Sequence, residues 1–283
     1  MRDRAIPILL LAAAALPAQV RQIRESPAAS VSQDLGLTKV AISYHRPAVK
    51  GRVIWGGLVP YGQVWRTGAN EATTFSFSTA VKVAGHEVPA GTYAFFAIPA
   101  KDHWTLILNK TADQWGAFSY KQDQDLLRFD VAPAPTPMQE WLDYTLEVKD
   151  QGTAIATLRW EKLQISFPIT ADVDGIYQAY LADEVKKADA SADPKRMNVY
   201  LVDARYWTAR GQRLDEASAS LDKAAAIRES FWVYDLRARI LQKQGRVKEA
   251  LPLLDQAMAL APKQGAPKEY VDGLAALKAE WSK

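Results

Sequence analysis

The period of the hydrophobic pattern changes once along this chain, near Pro168. Over residues 38–169 apolar positions recur every second residue and are rich in Val, Ile, Tyr, Phe, Trp and Thr, which predicts β-strands. Val40, Ile42 and Tyr44 alternate with Ala41, Ser43 and His45, and Phe75 and Phe77 alternate with Thr74, Ser76 and Ser78. Each run should lay one face on a core. Val81 and Val83, the turn Gly85-His86-Glu87 and Val88 predict a hairpin, and Pro89-Ala90-Gly91 turns the chain into a strand over residues 92–98. A further strand is expected over residues 104–109. Leu142, Tyr144, Leu146 and Val148 face Ala154, Ala156, Leu158 and Trp160 across the turn Asp150-Gln151-Gly152, and Leu163, Ile165 and Phe167 supply a last strand. Pro133-Ala134-Pro135-Thr136-Pro137 reads as a stiff, extended connection. About eight short strands with tight turns and no intervening helix predict an antiparallel sandwich or jelly roll, with a closed barrel as the alternative.

After Pro168 the spacing is helical. Ile176, Tyr180 and Leu181 open one helix, and a second is expected over residues 194–210 with Pro194 in its first turn. Gly245, Glu249, Ala250, Ala257 and Pro262 then fall at the offsets of a tetratricopeptide repeat. Gly211, Glu216, Ala217 and Ala224 echo them about 34 residues earlier, with Glu229 where the proline would stand. Small residues at these offsets let antiparallel helices approach closely. Residues 268–281 would form the capping helix. The predicted fold class is thus α+β in two domains, an antiparallel β-sandwich or jelly roll over residues 26–169 and an all-α, tetratricopeptide-like domain over residues 172–283.

A length of 283 residues agrees with two domains, and 48% hydrophobic with 24% charged residues is the composition of an ordinary globular chain. Arg2 and Arg4, an apolar run over residues 6–16 and Pro17-Ala18-Gln19 read as a signal peptide over residues 1–18. The run is too short to span a bilayer, no second membrane-length segment follows, and the expected location is periplasmic or secreted. With no cysteine, disulfides and thiolate chemistry are excluded. Loss of Arg2, Arg4 and Asp3 with the signal takes the net charge from +3 to +2, which is no nucleic-acid signature.

Candidate chemistry concentrates between Arg46 and Thr73, over twenty-five residues with little periodicity. Val53, Ile54, Trp55, Leu58, Val59, Tyr61, Val64 and Trp65 give this segment apolar anchors, and it should fold back over one end of the sandwich. Arg46, Lys50, Arg52 and Arg66 face only Glu71 among acidic residues, so a cationic concavity is expected. Guanidinium groups bind carboxylates and phosphates through paired hydrogen bonds, and Trp or Tyr faces stack on planar or sugar rings. The candidate ligand-binding residues are therefore Arg46, Arg52, Tyr61, Trp65, Arg66, Asn70 and Glu71. The competing reading pairs Arg46 and Arg66 with Glu71 and lets Trp65 and Tyr61 plug the core. His45, His86 and His103 lack the spacing of a metal site, no nucleophile elbow or phosphate-cradling loop occurs, and no cofactor is implied.

Several of these stretches together resemble a bacterial family, domain of unknown function 2911. The resemblance is carried by Ser26-Pro27, Gly36-Leu37-Thr38, Tyr44-His45-Arg46-Pro47, Lys50-Gly51-Arg52, Leu58-Val59-Pro60-Tyr61-Gly62, the run from Trp65 through Thr73, Pro89-Ala90-Gly91-Thr92-Tyr93 and Trp160-Glu161. It implies an exported bacterial protein, often with helical repeats appended at the C-terminus, and it implies no activity.

The leading functional expectation is a non-catalytic exported protein. Its β-domain would bind a small polar or anionic ligand, with cell-envelope glycans as the ligand class, and its helical repeats would contact a protein or peptide. Two alternatives stand beside it. One is a hydrolase of glycans or esters using Glu71 and His45, the other a purely structural interaction scaffold.

Overall fold

The computed structural model describes residues 23–283, divided between Ala171 and Asp172 into two compact units. The export signal expected over residues 1–18 lies outside the described residues.

The first unit is antiparallel β throughout. Its strands are β1 (Ala28–Leu35), β2 (Thr38–His45), β3 (Thr73–Phe77), β4 (Val81–Val83), β5 (His86–Val88), β6 (Gly91–Pro99), β7 (Trp104–Asn109), β8 (Asp125–Val131), β9 (Ala134–Asp150) and β10 (Thr153–Thr170). Six of them form one sheet in the order β1-β2-β3-β6-β7-β8, and four form another in the order β5-β4-β10-β9. Neither order closes on itself, so the unit is a sandwich and the barrel alternative falls. Alternation places Val40, Ile42, Phe75, Phe95, Leu106 and Leu108 of the first sheet in one core with Leu142, Tyr144, Leu158, Trp160, Ile165 and Phe167 of the second.

Two strands escaped the hydrophobic pattern. β1 and β8 are the edges of the six-stranded sheet, where half-buried positions tolerate the polar sequences AASVSQDL and DLLRFDV. A third difference is β10, expected as two strands and found as one of eighteen residues. Its register against β9 shifts on both sides of Glu161, which sits at φ 57°. This bulge changes parity: Ala154, Ala156, Leu158 and Trp160 face the core before it, and Ile165, Phe167 and Ile169 face the same core after it. The proline-rich segment expected as a connection is the start of β9, with Pro135 opposite Leu163. An edge strand accommodates prolines because one side of its backbone has no ladder to complete.

β6 is covered on both faces. Phe95 and Ala97 point into the main core, while Ala94 and Phe96 join Ala72 and Ile107 in a second apolar cluster, with Val64 and Tyr120 packed against it.

The second unit consists of α1 (Val173–Ala190), α2 (Met197–Arg210), α3 (Leu214–Ile227), α4 (Phe231–Lys243), α5 (Val247–Leu260) and α6 (Lys268–Trp281). Ala217, Ala224, Ala250 and Ala257 are fully buried between helices. Gly211, the left-handed cap of α2, and Gly245, just beyond α4, have positive φ. None of the described helices is long and apolar enough to cross a membrane.

Candidate functional site

The segment between β2 and β3 is anchored at several points. Trp65 and Ala97 exchange both backbone hydrogen bonds, at 2.8 and 2.9 Å, and the Gly62 amide donates to Pro99. The stretch ending at Trp65 therefore runs beside the end of β6 where β3 has not yet begun. Residues 66–72 loop outward, and the chain rejoins the sheet at Thr73, whose amide donates to Arg66 at 3.3 Å. Fully buried Thr67 closes the neck: its hydroxyl donates to Phe95, and its carbonyl accepts from Thr73 Oγ1 and from Tyr144 Oη. At Gly68 a Cβ would meet Thr73 Oγ1 at 2.9 Å and the His45 carbonyl at 3.1 Å. A side chain there would force the neck open.

Inside the sandwich, Trp55 and Trp65 of this segment meet Trp104 of β7 and Trp160 of β10. Trp65 stacks on Trp160 with centroids 5.9 Å apart and planes 17° apart, and Trp55 lies 4.8 Å from Trp104. The indole N–H groups of Trp55, Trp104 and Trp160 are buried without a partner among the described residues.

Beside this cluster lies a cavity of about 320 Å³ whose lining includes Lys50, Arg52, Trp65, Arg66, Asn70 and Trp160. Its positive groups are weakly neutralised. Among the described residues Arg52 donates to the carbonyls of Val49 and Ala48 and pairs with no carboxylate, which orients the guanidinium without neutralising it. Lys50 reaches Glu25 at 3.2 Å in an exposed pair, an arrangement worth little in water. Arg66 is half-buried, its Nε is enclosed and unpaired, and among the described residues its side chain makes no hydrogen bond or ion pair. Burial draws its pKa below the usual guanidinium value, yet such a group stays cationic. Asn70, at φ 57°, donates to the Ser26 carbonyl at 3.2 Å.

A second recess, of about 780 Å³, opens on the outer face of the six-stranded sheet, with Ser43, His45, Glu71, Thr74, Asp113 and Gln114 among its lining. At its edge Arg24 Nη1 donates to both oxygens of Glu71, at 2.8 and 2.5 Å, and lies 3.4 Å from His45 Nε2. His45 Nε2 is 3.5 Å from Glu71 Oε2. The hydrogen bond from Arg24 holds the Glu71 carboxyl below its ordinary pKa. His45 is also lowered, first by burial and then by Arg24 and Arg66, against the opposing pull of Glu71, so its imidazole is neutral at pH 7. Such a pair holds a fixed carboxylate beside a neutral base.

The seven candidate residues thus divide. Arg52, Trp65, Arg66 and Asn70 line the smaller cavity, with Trp65 also built into the core. Glu71 lines the larger recess. Arg46 lines neither: its Nε donates to the Leu142 carbonyl at 2.9 Å and Nη2 lies 3.7 Å from Asp143. Tyr61 lines neither, and its ring lies over Gly56, where a Cβ would approach it to 2.8 Å. The expected pairing of Arg46 and Arg66 with Glu71 is absent among the described residues; Arg24 takes that carboxylate. Sequence reasoning missed Arg24, which precedes the stretches that carry the family resemblance, Trp160, which reads as a strand residue, and Trp115. Only Trp160 carried a signal, through the motif Trp160-Glu161. No group of His, Asp or Glu that could hold a metal occurs among the described residues.

An antiparallel sandwich with a looped-out neck at Thr67 and a basic, tryptophan-backed cavity is therefore the defining part of this chain. The chain belongs to the family described as protein of unknown function DUF2911, whose model matches residues 26–169. Neither the curated proteins nor the solved structures compared with it contain a match.

Proposed function

We propose that this protein is an exported binding protein whose β-domain takes a small polar or anionic ligand in the cavity between Arg52, Arg66 and Asn70. Arg66 carries the reading. A half-buried guanidinium without an internal partner is costly to keep in a fold, and one that lines a cavity is poised for a carboxylate or phosphate. Arg52 adds a second positive charge, already oriented by backbone carbonyls. The ligand class is a cell-envelope glycan carrying an acidic group. The apolar N-terminal run supports export to the periplasm or beyond, and the tetratricopeptide-like offsets support a protein-contact role for the helical unit.

The test is calorimetric titration of the full mature chain with a disaccharide bearing a lactyl carboxylate. Arg66→Ala and Asn70→Ala should each weaken binding about tenfold or more, the size of a lost charge-assisted contact. Unchanged binding by both variants, with folding intact, would sink the proposal.

A second reading has one observation in its favour, the 3.5 Å approach of His45 to Glu71 at an open recess. In it, neutral His45 acts as general base on water in the hydrolysis of a glycan or ester, oriented by Glu71. Turnover of a chromogenic ester or glycoside that disappears in His45→Gln would establish it. Equal rates in both proteins would remove it.

A further inference from the structure

The larger recess differs from the basic cavity in its chemistry. Its floor is the outer face of β1, β2 and β3, which presents the short hydroxyl side chains of Ser30, Ser43 and Thr74. Small residues keep this part of the sheet low beside a wall that carries His45, Glu71, Asp113 and Gln114. The volume, about 780 Å³, lies in the range of small-molecule sites. Its charge is of the opposite sign to that of the smaller cavity. Arg24, the cation at the edge, is bound to Glu71, and Asp113 makes no ion pair among the described residues. Among the described residues no lysine or arginine lines this recess, and a lining of carboxylate, imidazole and hydroxyl groups disfavours an anion. It suits a ligand rich in O–H groups, each of which can donate to a carboxylate and accept from a hydroxyl.

An aromatic platform stands at the same edge. Trp115 follows Gln114 directly, and its backbone is bridged to Glu71. The wall is fixed by two further hydrogen bonds, Ala72 N–H to Gln114 and Gly116 N–H to Asn70, both at 3.0 Å. The Trp115 side chain is 55% exposed and has Arg24 at 5.4 Å from the ring centroid. The indole is held in place by its backbone and keeps apolar ring surface open to a partner. The apolar C–H face of a pyranose ring is a fitting cover, because its hydroxyls then radiate toward the polar shelf.

We propose that the outer face of the six-stranded sheet, from Ser43 and Thr74 to Trp115, binds the neutral portion of a saccharide chain by ring stacking and hydroxyl hydrogen bonds. The inference rests on the reading that the ligand is a glycan, and it assigns this part of it to a place separate from the basic cavity.

The experiment titrates the full chain with two neutral β-linked tetrasaccharides, of N-acetylglucosamine and of glucose, alongside the acidic disaccharide. The variants are Trp115→Ala, Ser43→Trp and Arg66→Ala. A neutral tetrasaccharide should bind wild type and Arg66→Ala alike, about tenfold or more weaker in Trp115→Ala, as for an anchoring aromatic, and not at all once the Ser43→Trp indole fills the floor. If Ser43→Trp fails to fold, Trp115→Ala decides, since its side chain lies outside the core. Absence of binding by both tetrasaccharides, or equal binding by wild type and Trp115→Ala, overturns the inference. Acidic-disaccharide binding sensitive only to Arg66→Ala would then leave the basic cavity standing. Neutral binding lost in Trp115→Ala supports the shelf even where Arg66→Ala changes nothing for the acidic probe.

Discussion

Trp65, from the irregular segment before β3, makes an offset stack on Trp160 of the opposite sheet, with centroids 5.9 Å and planes 17° apart. The contact fastens the neck of the candidate site to β10 across the sandwich. Both indoles are buried, to 9% and 1% exposure. Trp65→Ala and Trp160→Ala should each cost about 3–5 kcal/mol by the usual measure of aromatic truncation in a core. The double variant should show a coupling of about 0.5–1.5 kcal/mol. Denaturant unfolding of the four proteins gives both quantities, and purely additive losses would mean that the stacking contributes nothing of its own.

Arg66 should behave in the opposite sense. Replacement by Met keeps the stem and removes a guanidinium that no partner among the described residues compensates, so the fold should gain about 1 kcal/mol. Thermal melting of Arg66→Met checks this. A lower melting temperature would mean that the guanidinium stabilises the native state through contacts other than ion pairs.

Acid should weaken the wall of the larger recess. The folded-state pKa of His45 is depressed, so the unfolded chain binds its proton first. Stability is fully present above the ordinary histidine value near 6.5 and is lost as pH falls through the lower, folded value. Glu71 follows the same sign at lower pH, because Arg24 depresses its pKa. Its contribution is present above the ordinary carboxylate value and lost below it, and it is small because the pair is about two-fifths exposed. Between pH 7 and 5 the unfolding midpoint should fall more steeply for wild type than for His45→Gln. Parallel curves would contradict the depression.

Deleting Glu161 should be far more damaging than substituting it. Removing one residue from the bulge would turn Ile165, Phe167 and Ile169 to the opposite face of β10 and abolish a soluble fold. Glu161→Gly keeps the count, suits φ 57°, and should stay within about 1 kcal/mol of wild type. Circular dichroism and yield of the two variants separate parity from side-chain identity.

What could be read in advance follows from what periodicity encodes. Val40, Ile42, Phe75 and Phe77 lie in the core and alternate with more exposed neighbours, so their strands and inward faces were legible. β1 and β8 were not, because an edge strand buries too little to need a strong pattern. The continuity of β10 was hidden because a bulge looks like a strand end: the apolar positions change parity at Glu161, and local spacing cannot tell a kink from a break. In the site, the run from Trp65 to Thr73 announced itself by composition, and four of its neighbourhood's candidate side chains share one cavity. That Arg24 takes Glu71, that Arg46 turns to Leu142 and Asp143, and that Trp115 stands exposed beside them are all consequences of long-range pairing, which spacing along the chain does not contain.

The hydrogen bonds between Trp65 and Ala97 tie the mouth of the basic cavity to β6, the strand enclosed on both sides. Amides there should be among the last to exchange with solvent, because opening them requires disrupting two apolar clusters at once. The cavity walls therefore inherit the rigidity of the innermost strand: the proposed ligand would meet walls already in place, little ordering entropy would be lost on binding, and structures with and without it should superimpose closely around Thr67.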